Sequence, residues 1–143
     1  MSAEELNKTL VREFLEEAWN KGNLMFVDEH FADDFVPHFL PPNLPANREG
    51  FKQHISMWQT AFPDFRGRAE DVIAEGDRVV LRWDFQGTNK GEFMGIPATG
   101  KEGRVTGISA FRLADGKVCE AWAESDSLGL LVQLGLAKPP WER

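Results

Sequence analysis

The hydrophobic period of this chain switches from helical to extended near Phe65. Before the switch, Ser2 and Glu5 form a capping-box signature, and Leu6, Leu10, Val11, Phe14, Leu15 and Ala18 then recur on one helical face. The segment Asn20-Lys21-Gly22-Asn23 ends that helix, and the apolar stretch from Leu24 to Phe31 predicts a second. Residues 33–38 read as extended, because the residue before Pro37 is pushed out of the helical region. Pro41, Pro42 and Pro45 enforce a loop, and Asn47 can cap a third helix carrying Phe51, Ile55, Trp58 and Phe62. After the switch, β-branched and aromatic runs separated by turn signals predict four strands near 65–74, 78–88, 101–113 and 117–124. A short apolar helix follows at 127–134, closed by Gly135.

Helices first and a meander of long strands after imply an α+β fold in one domain over 1–143, with the N-terminal helices packed on the concave face of a strongly curved antiparallel sheet. Such a sheet encloses a cone-shaped cavity, and function is expected there. The aromatic usage, 11 Phe and 5 Trp with no Tyr, supplies both a core and an apolar pocket wall.

Charge narrows the partners. A net of -7 repels phosphate backbones and anionic lipid surfaces, so neither nucleic acid nor membrane is expected. No apolar run approaches the roughly 20 residues that span a bilayer, and the first residues lack the basic and apolar regions of a secretory signal, which predicts a cytoplasmic protein. Cys119 has no partner cysteine and reads as a small buried residue. His30, His38 and His54 are too far apart to form a local ligand pair, so no metal is expected. The stretch from Gly95 to Lys101 imitates the start of a phosphate-binding loop, but Glu102 replaces the hydroxyl that would hold magnesium and a strand follows, so it reads as a loop between strands.

Several polar residues are candidates for chemistry. On strand 78–88, Val80, Arg82 and Asp84 share one face and Leu81, Trp83 and Phe85 the other; Arg82 and Asp84 are then either a surface pair or a pair aimed into the cavity. Alternation on the last strand groups Val118, Glu120, Trp122 and Glu124 against Cys119, Ala121 and Ala123. Asp126 follows at the strand-to-helix junction, where it either caps the helix or acts as a general base. His54 borders the core or the pocket, and His38 stands at the expected cavity mouth, where an imidazole could exchange protons near neutral pH.

The segments Phe35-Val36-Pro37-His38, Glu49-Gly50-Phe51-Lys52, Phe62-Pro63-Asp64-Phe65 and Gly87 through Lys101, followed by Asp115-Gly116-Lys117, Trp122, Asp126 and Gln133-Leu134-Gly135, match a known pattern over nearly the whole chain. In their order and spacing the chain resembles the SnoaL-like polyketide cyclases, also called ester cyclases, of the NTF2-like superfamily. The resemblance implies an NTF2-like cone, a homodimer formed through the sheets, no cofactor and a hydrophobic small-molecule substrate closed into a ring by intramolecular aldol condensation. It places the family's aspartate base on Asp126 and its pocket histidine on His38, while Asn89 stands where many relatives carry His.

An aldol closure needs a base to take a proton from the carbon beside a carbonyl, and donors to hold the enolate and the new alkoxide. Arg82 or His38 are the expected donors, with Asp126 as base. Trp122, Trp58, His54, Asp84, Asn89 and Glu124 are the expected substrate contacts, with Trp83 a further flat surface and alternation favouring Trp122. Two rivals share the fold: epoxide opening of the limonene-epoxide-hydrolase type, through Arg82, Asp84 and Glu124, and a non-catalytic ligand-binding module.

Overall fold

A computed structural model describes residues 1–141. Helix α1 (Ala3–Phe14) starts where the Ser2 hydroxyl accepts the Glu5 amide at 3.1 Å. It runs on as a π-helical stretch, Leu15–Asn20, in which Leu15, Ala18 and Trp19 are buried. Helix α2 (Met25–His30) leads into strand β1 (Phe31–Pro37), and α3 (Arg48–Ala61) is capped by the Asn47 side chain accepting from Gly50 at 2.9 Å. Strands β2 (Arg66–Glu75), β3 (Arg78–Thr88), β4 (Glu102–Ala114) and β5 (Lys117–Ser125) precede α4 (Ser127–Gln133). The five strands form one curved, unclosed sheet in the order β1-β5-β4-β3-β2.

The α+β class holds, and the four expected strands lie within a residue or so of their predicted bounds. The sheet has a fifth member, because the extended segment before His38 pairs in parallel with β5. Its partner lies more than eighty residues away, so nothing local marks it as a strand rather than a loop.

Burial fixes which face of each strand turns inward. On β3 the apolar set Val79, Leu81, Trp83 and Phe85 is buried under the helices, which sends Val80 and Arg82 to the convex face. On β4 the inward set is Gly103, Val105, Gly107, Ser109, Phe111 and Leu113. The glycines make room: a Cβ on Gly107 would overlap the Trp83 ring and lie 2.6 Å from the Glu124 carbonyl oxygen.

On β5 the simple alternation fails. Leu113 pairs with Val118 but Arg112 with Glu120, so Cys119 is the extra residue of a β-bulge. The bulge resets the phase. Val118 points inward together with Ala121 and Ala123, and Glu120, Trp122 and Glu124 lie on the convex side. Cys119 is half-buried rather than buried.

The core is a stack of rings between the helices and the sheet. Phe14 meets Phe31 at 5.1 Å, Phe51 at 5.8 Å, Phe111 at 5.9 Å and Phe26 at 6.3 Å between centroids, joining α1, α2, α3, β1 and β4. The loop from 89 to 101 is anchored by Asn89, which is wholly buried. Its amide donates to the carbonyls of Ala61 and Gly91, and its oxygen accepts the Thr99 amide and hydroxyl at 2.9 Å. The Gly95–Lys101 stretch is part of this loop and leads into β4, as its sequence suggests.

Candidate functional site

Between the aromatic core and the concave sheet lies a cavity of about 410 Å³. Its floor comes from β3 and β4, its far side from Ala121, Ala123 and Ser125 of β5, and its roof from Trp19 and the α3 residues Phe51, His54 and Trp58. Ser109 of β4 and Ala121 and Ala123 of β5 are the small residues of this wall, and Phe93 and Met94 of the long loop and Leu130 of α4 complete the lining. Among the described residues its walls hold no carboxylate, lysine or arginine, and His54 is their one titratable side chain.

His54 projects from α3 among the rings of Trp19 at 6.2 Å, Phe39 at 5.9 Å and Trp58 at 6.5 Å. Burial in this apolar setting pushes its pKa down to about 4, so the imidazole is neutral at physiological pH. Its Nδ1 is buried and has no hydrogen-bond partner among the described residues. Across the cavity, the Trp83 indole N–H donates to the Ser109 hydroxyl oxygen at 2.9 Å, which leaves the hydroxyl proton free to donate elsewhere. Ser109 is absent from the sequence-based candidates. The available signal is the small residues Gly103, Gly107 and Ser109, which share the inward face of β4 with the bulky Val105, Phe111 and Leu113.

Of the other expected site residues, Trp58 and Trp83 line the cavity. Arg82 lies on the convex face, exposed, with its Nε bonded to Asp71 at 2.7 Å. Asp84 shares that face and is buried beneath Arg104, whose Nε reaches both carboxylate oxygens at 2.9 Å and holds the acid below the usual carboxylate range. Glu124 is exposed on the same side. Arg82, Asp84 and Glu124 are therefore not brought together around the cavity, and the expectation that they project into it is corrected by the burial of the opposite face of β3 and by the Cys119 bulge.

His38 and Trp122 also meet on the convex side. Their rings stack at 5.0 Å, Arg78 lies 5.2 Å over Trp122, and His38 Nε2 is 2.8 Å from Glu120. The second Glu120 oxygen accepts from Arg112 Nε at 2.6 Å; that bond first, and the one with His38 next, hold the carboxyl below its ordinary value. The expectation that Trp122 faces the cavity is thus reversed by one bulge residue. Asn89 lies outside the cavity walls, with its amide committed to the loop.

Asp126 stands between Ser125 and Ser127, both of which line the cavity. It is exposed, and its Oδ1 accepts the Gly129 amide at 2.9 Å as the N-cap of α4. Among the described residues, no cluster of three or more His, Cys, Asp or Glu side chains is placed to hold a metal ion. No described helix is long and apolar enough to cross a membrane.

Comparison with known proteins agrees with this architecture. The family model for SnoaL-like polyketide cyclases matches residues 9–134. No curated protein gives a significant match. Among solved structures, the chain is similar to TsrD from Streptomyces laurentii, with 30% identity, TM-score 0.85, and coverage of 96% of this chain and 100% of that one. It is also similar to IdmH from Streptomyces antibioticus, provisionally assigned as a polyketide cyclase, with 34% identity, TM-score 0.78, and coverage of 90% and 98%. AclR from Streptomyces galilaeus, provisionally assigned as a hydroxylase, shares 30% identity with TM-score 0.84 over 95% of this chain and 100% of its own. With its helices laid across the concave face of an unclosed sheet and the family pattern running through all but the two ends, the chain belongs to the SnoaL-like polyketide cyclase family.

Proposed function

We propose that the chain is an aldol-type cyclase that closes a ring in a polyketide-like small molecule held in the apolar cavity. The observation that carries this reading is the cavity itself: about 410 Å³, walled by aromatic rings and free of charged side chains among the described residues. Such a chamber folds a flexible, mostly apolar chain into near-attack geometry, which can supply much of the acceleration. The remaining chemistry is a proton transfer from carbon to a base, attack of the enolate on a second carbonyl, and protonation of the alkoxide. None of these steps consumes an oxidant or a reductant.

Asp126 is the base in this reading. It is the carboxylate flanked in sequence by two cavity-lining serines, and its capping bond uses Oδ1, leaving Oδ2 to accept a proton. Arg82 and His38, on the convex face, are not part of it. Incubation with an aromatic polyketide methyl ester is expected to give ring-closed product, with turnover falling at least about tenfold in Asp126→Asn while ligand affinity persists. Asparagine keeps the capping oxygen, so folding is preserved. Equal turnover in the variant removes Asp126 from the mechanism.

A second reading, ligand binding without turnover, is favoured by the exposure of Asp126 and its engagement as a helix cap. It prevails when the ester binds but no product forms.

The homodimer that the family resemblance implies extends the proposal to assembly. The convex face exposes Ile73, Val80 and Ile108 beside the half-buried Trp122, an apolar surface suited to a second copy. Light scattering is expected to give twice the mass of one chain, and Ile108→Lys to shift that mass toward the monomer. A monomeric wild type rejects this assembly.

A further inference from the structure

Two polar groups with no role in the proton transfers above face the cavity from different elements. His54 on α3 buries an Nδ1 that no described residue satisfies. Ser109 on β4 receives the Trp83 N–H and keeps its own proton to donate. Buried polar atoms in native proteins are nearly always paired, and a group held unpaired among Trp19, Phe39 and Trp58 is costly unless something completes it. The same wall offers no countercharge among the described residues.

Resting on the reading of this cavity as the substrate chamber, we propose that His54 and Ser109 form its specificity-determining pair, holding two oxygen functions of a flat, uncharged polycyclic ligand and rejecting ionised ones. The two groups differ in kind. A neutral imidazole donates from one nitrogen and accepts at the other, so His54 takes either a carbonyl or a hydroxyl oxygen. Ser109, already accepting from Trp83, presents its own proton, which suits a carbonyl oxygen. An ionised carboxylate entering the chamber loses its hydration and meets no cation, because the imidazole is uncharged above a pH of about 4. Discrimination between an oxygenated ring system and its hydrocarbon parent then comes from these two contacts, and discrimination against acids comes from desolvation.

The test uses quenching of tryptophan fluorescence near neutral pH, since Trp19, Trp58 and Trp83 line the cavity. The probes are anthracene, anthraquinone and anthraquinone carboxylate. Anthraquinone is expected to bind about tenfold tighter than anthracene, and the carboxylate at least about tenfold weaker than anthraquinone. His54→Phe and Ser109→Ala are each expected to remove roughly fivefold of the quinone preference while leaving anthracene affinity within about twofold. His54→Gln, which keeps a donor and an acceptor, is expected to retain part of it and shows that the change is not a loss of folding.

A quinone preference that survives in both His54→Phe and Ser109→Ala overturns the pairing, and carboxylate binding as tight as that of anthraquinone overturns the exclusion of charge. Failure of anthracene and anthraquinone alike to bind the wild type overturns both this inference and the chamber reading. Intact binding preferences with no ring closure leave the pair standing and remove only the catalytic reading.

Discussion

Acidification from pH 6.5 to pH 4 is expected to cost this protein on the order of 3 kcal/mol of stability through His54 alone. The sign follows from the direction of the shift. In the unfolded chain the imidazole takes up a proton below its ordinary value of 6.5, whereas in the folded protein it does so only near 4. Above that window both states are neutral and the full stability is present. Within it the unfolded state binds more protons, so stability falls as the pH drops, and below it the two states are protonated alike. The cause is desolvation by rings: Trp19 of the π-helical stretch, Phe39 of the proline-rich loop and Trp58 of α3 surround the imidazole, with no charged side chain among the described residues of the cavity wall to offset the cost.

Urea denaturation at pH 7, pH 5.5 and pH 4.5 measures the effect against His54→Phe, which removes the titrating group and fills the same apolar space. The acids Asp84 and Asp64 have folded pKa values held below an ordinary 3.8, by Arg104 and by the Thr88 amide respectively, so their stabilisation is lost at lower pH. Glu120, held below its ordinary 4.5, begins to contribute only at the acid end of the series. A variant whose stability falls as steeply as the wild type between pH 7 and pH 4.5 shows that His54 is not the buried neutral group described here.

How far this site was readable from sequence depends on whether the signal was local. Capping by Ser2 and Asn47, the helical stripe of α3 and the turn residues between strands are all short-range, and the corresponding elements lie within a residue or so of where they are expected. The parallel pairing of β1 with β5 is a long-range choice that Phe31–Pro37 does not carry in its own pattern. The facing of Trp122 turned on Cys119, a residue whose bulge breaks no run of apolar or polar residues and so leaves no periodic trace. Its only hint is that Ala121 and Ala123, small enough to border a cavity, replace the bulky residues expected on a packed inner face. On β3 the wholly apolar set Leu81, Trp83 and Phe85 does face inward, so there the pattern was sufficient once burial decided between the two faces. His54 stands one position off the Phe51, Ile55 and Trp58 stripe, a place that borders either core or cavity; the cavity lies over Ser109 of β4 and Ala121 and Ala123 of β5.

Phe14→Ala is expected to destabilise the fold by about 4 kcal/mol, lowering the melting temperature on the order of 15 °C. Phe14 is 3% exposed and touches four other rings, so its removal strips contacts from α2, α3, β1 and β4 at once. It also forms part of the cavity wall, which separates this site from an ordinary core position. Surrounding side chains cannot collapse fully into the gap, because the sheet behind it is held by paired strands; the lost volume therefore joins the existing cavity. A cavity lined this way prefers an apolar occupant to water. Anthracene near a hundredfold above its dissociation constant is then expected to restore about 2.7 kcal/mol to the variant, and it does so only by binding the folded state. Phe26→Ala removes a buried ring that is not among the cavity-lining residues, and it should show no such gain at the same ligand concentration beyond that of the wild type. Equal rescue of both variants, measured by thermal denaturation at the same ligand concentration, separates Phe14 from the chamber and makes it a structural ring alone.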